Sequence, residues 1–143
     1  MGLLLNYGDG IGCFVDILSA LFVENLDFRQ VPGPATRIDM TGVMFSLAVD
    51  SPLPVTVEPH LVVLVRCPPG ESGSAVLETV FRDEQGEQVA RNVQPFQVEP
   101  GKFGYRLVRG ELTYANFGTI EAHCRLDQGP WHIVPLTLIP IQV

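Results

Sequence analysis

No apolar run in the chain approaches the roughly 20 residues that a membrane-crossing helix requires, so a spanning helix is not expected. Positive charge is also scarce. Nine Lys and Arg stand against 16 Asp and Glu, a formal net charge of -7, and such a chain has no broad positive field to gather phosphates. Nucleic acid is therefore not an expected partner. Lys102, Arg106 and Arg109 form the one local basic patch, which reads as a solvated face. Charged residues make up only 17% of the chain against 46% hydrophobic, and that balance excludes a disordered, highly charged tail.

Cysteine is sparse too. Cys13, Cys67 and Cys124 are odd in number and far apart, unlike the dense, even set of a small disulfide-stapled domain. None has the two-residue spacing of a zinc knuckle or redox motif, so they read as buried, reduced thiols. No basic stretch precedes Leu3-Leu4-Leu5, whose run ends at Asn6, and Asn6 also stands where a myristoylation signal wants Ser or Thr. The expectation is a cytoplasmic protein with no membrane partner.

What the chain does have is punctuation. Twelve prolines and fourteen glycines separate short apolar runs at intervals of about ten residues, the pattern of all-β sandwiches and barrels. A length of 143 residues suits one core, so residues 1–143 are expected to form a single domain. "LLLNY" (Leu3 to Tyr7) reads as a first strand. "HLVVLVRC" (His60 to Cys67) is too short for a typical helix and closes on Pro68-Pro69-Gly70, which predicts a central strand.

Alternation is clearest in two places. In "AVLETVFRDE", Leu77, Thr79 and Phe81 share one face, and "DEQGEQ" then turns the chain into "QVARNVQPFQVE". Pro95 cannot donate to a ladder, so this returning strand belongs at an edge or carries a bulge. In "TIEAHCRLDQGPW", Ile120, Ala122, Cys124 and Leu126 point one way and Glu121, His123 and Arg125 the other. "FGYRLVRGELTYANF" aligns Tyr105 and Leu107 with Arg109. A further strand is expected from Ile38 to Ala48, and "WHIVPLTLIPIQV" supplies the last, interrupted by Pro135 and Pro140.

"DILSALFVENLDF" (Asp16 to Phe28) admits two readings. Asp16, Ser19, Glu24 and Asp27 recur at spacings of three to five, with Asp16 placed as an N-cap, which allows a short helix near 16–26. Consistency with the rest of the chain favours a strand.

Each candidate motif has a plainer explanation. "NYGDGIGCF" places glycines at 8, 10 and 12 but lacks the final glycine of a dinucleotide fingerprint, which must also open a helix in a parallel unit. It reads as a surface turn over Gly8 to Gly12, with Cys13 or Phe14 returning to the core. His123, Cys124 and His132 invite a zinc site, yet adjacent strand residues face opposite ways, and His132 is expected opposite His123 across a hairpin. No serine sits in a nucleophile elbow. No catalytic, cofactor-binding or metal-binding residues are assigned, and no cofactor is expected.

"PLPVTVEPHLVVLVRCPPGESGSAVLETVFRDEQGEQV" (Pro52 to Val89) and "FGTIEAHCRLDQGPWHIVPLTL" (Phe117 to Leu138) together resemble a family of small bacterial β-sandwich proteins of unknown function. The likeness rests on strand and turn patterns over about two thirds of the chain. It implies a single antiparallel sandwich, immunoglobulin-like or C2-like, of about seven or eight strands, and it implies no activity.

The functional expectation is a non-enzymatic protein–protein interaction or structural module, meeting a protein partner or forming a homo-oligomer. High apolar content in a small acidic domain motivates it. The expected contact regions are Val31 to Pro34, Ser51 to Pro59 and Leu136 to Val143. The alternative is a small-molecule or carbohydrate-binding sandwich that uses Tyr105, Tyr114, Trp131 and His132 as a stacking platform, against core filling by the same rings.

Overall fold

The alternation in "TIEAHCRL" becomes a strand whose even-numbered residues Ile120, Ala122, Cys124 and Leu126 are buried, while Glu121, His123 and Arg125 lie on the opposite face. The same logic holds along most of the chain. A computed structural model describes residues 15–33 and 35–141. Among them are eleven strands and no helix: β1 (Asp16–Val31), β2 (Ala35–Met44), β3 (Ser46–Val49), β4 (Val55–Val57), β5 (His60–Arg66), β6 (Ser74–Arg82), β7 (Gln88–Gln97), β8 (Phe103–Arg109), β9 (Leu112–Tyr114), β10 (Gly118–Leu126) and β11 (His132–Pro140).

They form a four-stranded sheet, β2-β1-β5-β8, a five-stranded sheet, β3-β11-β10-β6-β7, and the small pair β4-β9. The core lies between the two larger sheets, with Phe22, Leu61, Val63 and Val108 from the first meeting Leu77, Phe81, Ala122 and Leu136 from the second. This is an all-β, sandwich-like fold. Tyr114 belongs to its core, 3% exposed, with its hydroxyl donating to the Leu136 carbonyl at 2.7 Å.

One open reading is decided and three expectations are corrected. Residues 16–26 are strand, the favoured of the two readings, because Asp16 to Val23 pair with β5 and β1 from Phe22 onward pairs with β2. A bulge between Ile17 and Ser19 breaks the strict alternation, which is why local spacing alone left a helix open. The strands number eleven rather than seven or eight; β3, β4 and β9, each of four residues or fewer, make up the surplus. Nor is the fold purely antiparallel, since β3 joins β11 in parallel. The single strand expected over Ile38 to Ala48 splits at Phe45, with β2 going to one sheet and β3 to the other.

Proline placement follows the hydrogen-bond ladder. Pro95 lies on β7, an edge strand. Pro135 lies inside β11, but Thr137, two residues on, directs its N–H to Phe45 on the β3 side. The missing donor of Pro135 therefore faces the same side, beyond the end of β3, whose pairing starts at Thr137. Pro140 faces the β10 side, past the last pair, Gly118 with Leu138. β11 thus stays continuous, enclosed by β3 and β10, so of the expected contact region its strand part, Leu136 to Pro140, does not supply a free sheet edge.

Cys67 and Cys124 are free thiols with no exposure, and burial pushes the Cys124 thiol up to about 11. Cys124 should consequently stay unmodified by a thiol-alkylating reagent at neutral pH until the chain unfolds, with labelling mapped residue by residue by mass spectrometry. The turn expected over Gly8 to Gly12, the strand Leu3 to Tyr7 and Cys13 lie outside the described residues.

Candidate functional site

β1 is sixteen residues long, but only Asp16 to Val23 pair with β5. From Asn25 to Val31 its ladder is with β2 alone, so the two strands continue as a ribbon past the body of the sheet. The register skips Glu24 and Gly42, and Gly42 has a φ of 69° with the Glu24 side chain packed where a Cβ would stand. Only glycine suits that position. By strict alternation Phe28 is in phase with core-facing Phe22, yet its ring centre lies 4.8 Å from that of Tyr105. Tyr105 is out of phase with buried Val108 and so stands on the outer face of β8. The register is unchanged on either side of the missing Glu24–Gly42 pair, and beyond it Phe28 lies against that outer face.

A cleft of about 500 Å³ lies beside this contact, lined by Asn25, Leu26, Phe28, His60, Tyr105, Arg106, Leu107 and Arg109. Val62, 1% exposed but outside the central core, pairs with Leu107 of this lining. The rings of Phe28 and Tyr105 offer stacking surface, and Arg109 and His60 face each other in register at one end. Arg106 is tied back: its Nε donates to Gln94 at 2.9 Å and its guanidinium lies 5.5 Å from the Phe96 ring. Among the described residues the lining holds cations, rings, two leucines and an amide, and no carboxylate, Ser or Thr hydroxyl or thiol. Such a surface suits an anionic or aromatic group.

A second polar cluster occupies the outer face of the five-stranded sheet. Glu78 accepts from Arg125 Nε at 2.9 Å and from Arg91 at 3.1 Å, and the Arg125 guanidinium lies 4.2 Å from the Trp131 ring centre. Arg125, then Arg91, holds the Glu78 carboxyl below its usual 4.5. A folded-state pKa below the unfolded one adds stability above the ordinary carboxylate range, lost as pH falls through the depressed value. Glu78→Gln should accordingly flatten the fall in thermal midpoint below about pH 4.5, leaving the rest of the acid profile in place.

The four residues expected to share a platform are dispersed. Tyr105 lines the cleft, Tyr114 is in the core, and Trp131 and His132 are exposed at the start of β11 on the other sheet. His132 pairs with Cys124, and His123 with Ile133, so the two histidines are one register step apart from the expected pairing. His123 instead contacts Glu121 at 3.2 Å and meets Trp131 edge-on. Among the described residues no group of three His, Cys, Asp or Glu is placed to hold a metal ion. Phe28 and His60 were not singled out from sequence. The usable signal was the shared face of Tyr105, Leu107 and Arg109, which does line the cleft.

No protein-family model and no curated protein matches the chain. Among solved structures it is similar to part of a β-glucosidase from Erythrobacter marinus, with a TM-score of 0.51 and 15% identity over 67% of this chain and 14% of that one. At that identity the likeness concerns the fold alone. Among the described residues, no helix is long and apolar enough to cross a membrane.

Proposed function

We propose that the chain is a non-enzymatic, cytoplasmic interaction module, an immunoglobulin-like or C2-like sandwich that meets a protein partner or another copy of itself. The β1–β2 ribbon carries this reading, because it runs past the sheet with both strands largely exposed. Phe28 is 48% exposed along it, and Val43 and Phe45, where β2 runs beside the body of the sheet and just after it, are 46% and 59% exposed. Apolar surface of this kind on a projecting ribbon is the usual material of a contact. Light scattering on the purified chain, together with capture on the immobilised protein, tests it. A mass above 15.7 kDa or a stoichiometric bound protein supports the reading; a strict monomer that binds nothing sinks it.

The cleft favours a second reading, a binding site for a small anionic aromatic molecule. Calorimetric titration with benzoate, repeated on Arg109→Ala, separates the two: saturable heat that disappears in the variant supports a ligand site. Absence of heat in both leaves the ribbon as the working surface.

A further inference from the structure

The ribbon carries its charges in an arrangement that is unfavourable within one chain. Across the β1–β2 ladder Arg29 is directly opposite Arg37, and Asp27 directly opposite Asp39. Like charges in directly opposed positions weaken a strand pair. Arg29 relieves part of this by reaching diagonally to Asp39, with Nε 2.6 Å from Oδ2 and Nη2 3.3 Å from Oδ1. Arg37 is exposed and has no carboxylate within ion-pair reach among the described residues, while Asp27 accepts only from the Asn25 amide there. At the same time β2 is the edge of its sheet, ten residues long with one flank unpaired.

An edge strand protected against self-pairing commonly carries charge of one sign, which repels a copy of itself. β2 carries both signs two residues apart, Arg37 and Asp39, and that spacing is self-complementary. If two β2 edges meet antiparallel about a two-fold axis at Ile38, Arg37 falls opposite the second copy's Asp39, and Asp39 opposite its Arg37. The four strands then carry the row Arg29, Arg37, Asp39, Asp27 and, beside it, the same row reversed. Each like-charged pair within a chain is flanked by an opposite pair from the other chain. The other face aligns Phe28 and Ile38 with the same two residues of the second copy, extending the partly exposed apolar strip across the axis.

We infer that β2 is a homodimerisation edge, joining two copies into one continuous sheet through antiparallel β2–β2 pairing centred on Ile38. The inference rests on the interaction reading above and names its partner as a second copy of this chain. An isologous contact of this type closes on itself and leaves no further edge of the same kind, so it yields dimers rather than fibres.

Charge-reversal variants test it by light scattering at matched concentration. Wild type is expected at twice 15.7 kDa, and Arg37→Asp and Asp39→Arg are each expected to shift towards monomer, their dissociation constants rising at least about tenfold. Mixing these two variants should restore a dimer, now mixed, because the introduced Asp at 37 of one chain meets the introduced Arg at 39 of the other, while the native Asp39 of the first meets the native Arg37 of the second. The double variant R37D/D39R should dimerise alone. Recovery on mixing is not expected from a merely damaged fold. A wild-type dimer indifferent to the single reversals, or variants that stay apart on mixing, would overturn the β2 edge while leaving the interaction reading intact. A wild-type monomer that still captures another protein would do the same, whereas a monomer that captures nothing removes both.

Discussion

Phe81→Ala is expected to lower the unfolding free energy by about 3–5 kcal/mol, read from the denaturant midpoint with an unchanged slope. Phe81 is 1% exposed on β6, and its two cross-strand neighbours are Ala90 and Ala122. A large ring between two alanines fills space that neither neighbour can reach when the ring is removed. Gly110 completes the pocket: a Cβ there would stand 3.0 Å from the ring edge. Phe28→Ala supplies the contrast, since that ring is 48% exposed on the ribbon, and its loss should cost under about 1 kcal/mol. Equal losses for the two variants would mean that the ring at 81 is not at the centre of the core.

Gly73→Ala should be the most damaging of the single-methyl additions, at about 1–3 kcal/mol or more. Gly73 has no positive φ, so its requirement is steric: a Cβ would enter the space of the Val98 carbonyl. The same two residues are joined by a hydrogen bond from Val98 N–H to the Gly73 carbonyl at 3.0 Å, so neither backbone can retreat without losing it. Gly86→Ala is the appropriate control. Gly86 has a φ of 80° with open space around it, leaving only left-handed backbone strain of about 1–2 kcal/mol. Thermal melts of the two variants should show the larger drop for Gly73→Ala, and the reverse order would contradict the close approach of the two strand ends.

How much of this was legible in the sequence depended on how local the cause is. β6 and β10 declare themselves because a strand with one face in the core alternates with period two, and Leu77, Thr79 and Phe81 or Ile120, Ala122 and Cys124 follow that period without a bulge. Pro95 marks an edge for a reason contained in its own ring. The turn at Asp83 to Glu87 is local as well, with the Asp83 carboxylate accepting from the N–H groups of Gln85 and Glu87. By contrast, nothing between Ile38 and Ala48 marks the change of sheet at Phe45, because that depends on where β1 and β11 stand. The parallel pairing of β3 with β11 joins residues about ninety positions apart and is invisible to any local pattern.

The cleft was partly legible for the same reason. Tyr105, Leu107 and Arg109 share a face by simple alternation, but Phe28 reaches Tyr105 from the part of β1 that has left β5, and no local pattern marks that approach. Tyr114 and Trp131 show the limit of reading aromatics by type. One is held in the core by the Leu136 carbonyl, and the other lies under a guanidinium on an outer face. Their surroundings, set by distant strands, decide which becomes core and which becomes surface.

The proposed working surface is the free edge of β2, and amide hydrogen exchange as a function of protein concentration tests it most directly. Amides of residues 35 to 41 that face away from β1 should gain protection as concentration rises through the dimer range, while those on the free flank of β7, an edge strand of the other sheet, should exchange at an unchanged rate. Exchange in β2 that is independent of concentration, or protection that grows on β7 instead, would contradict it.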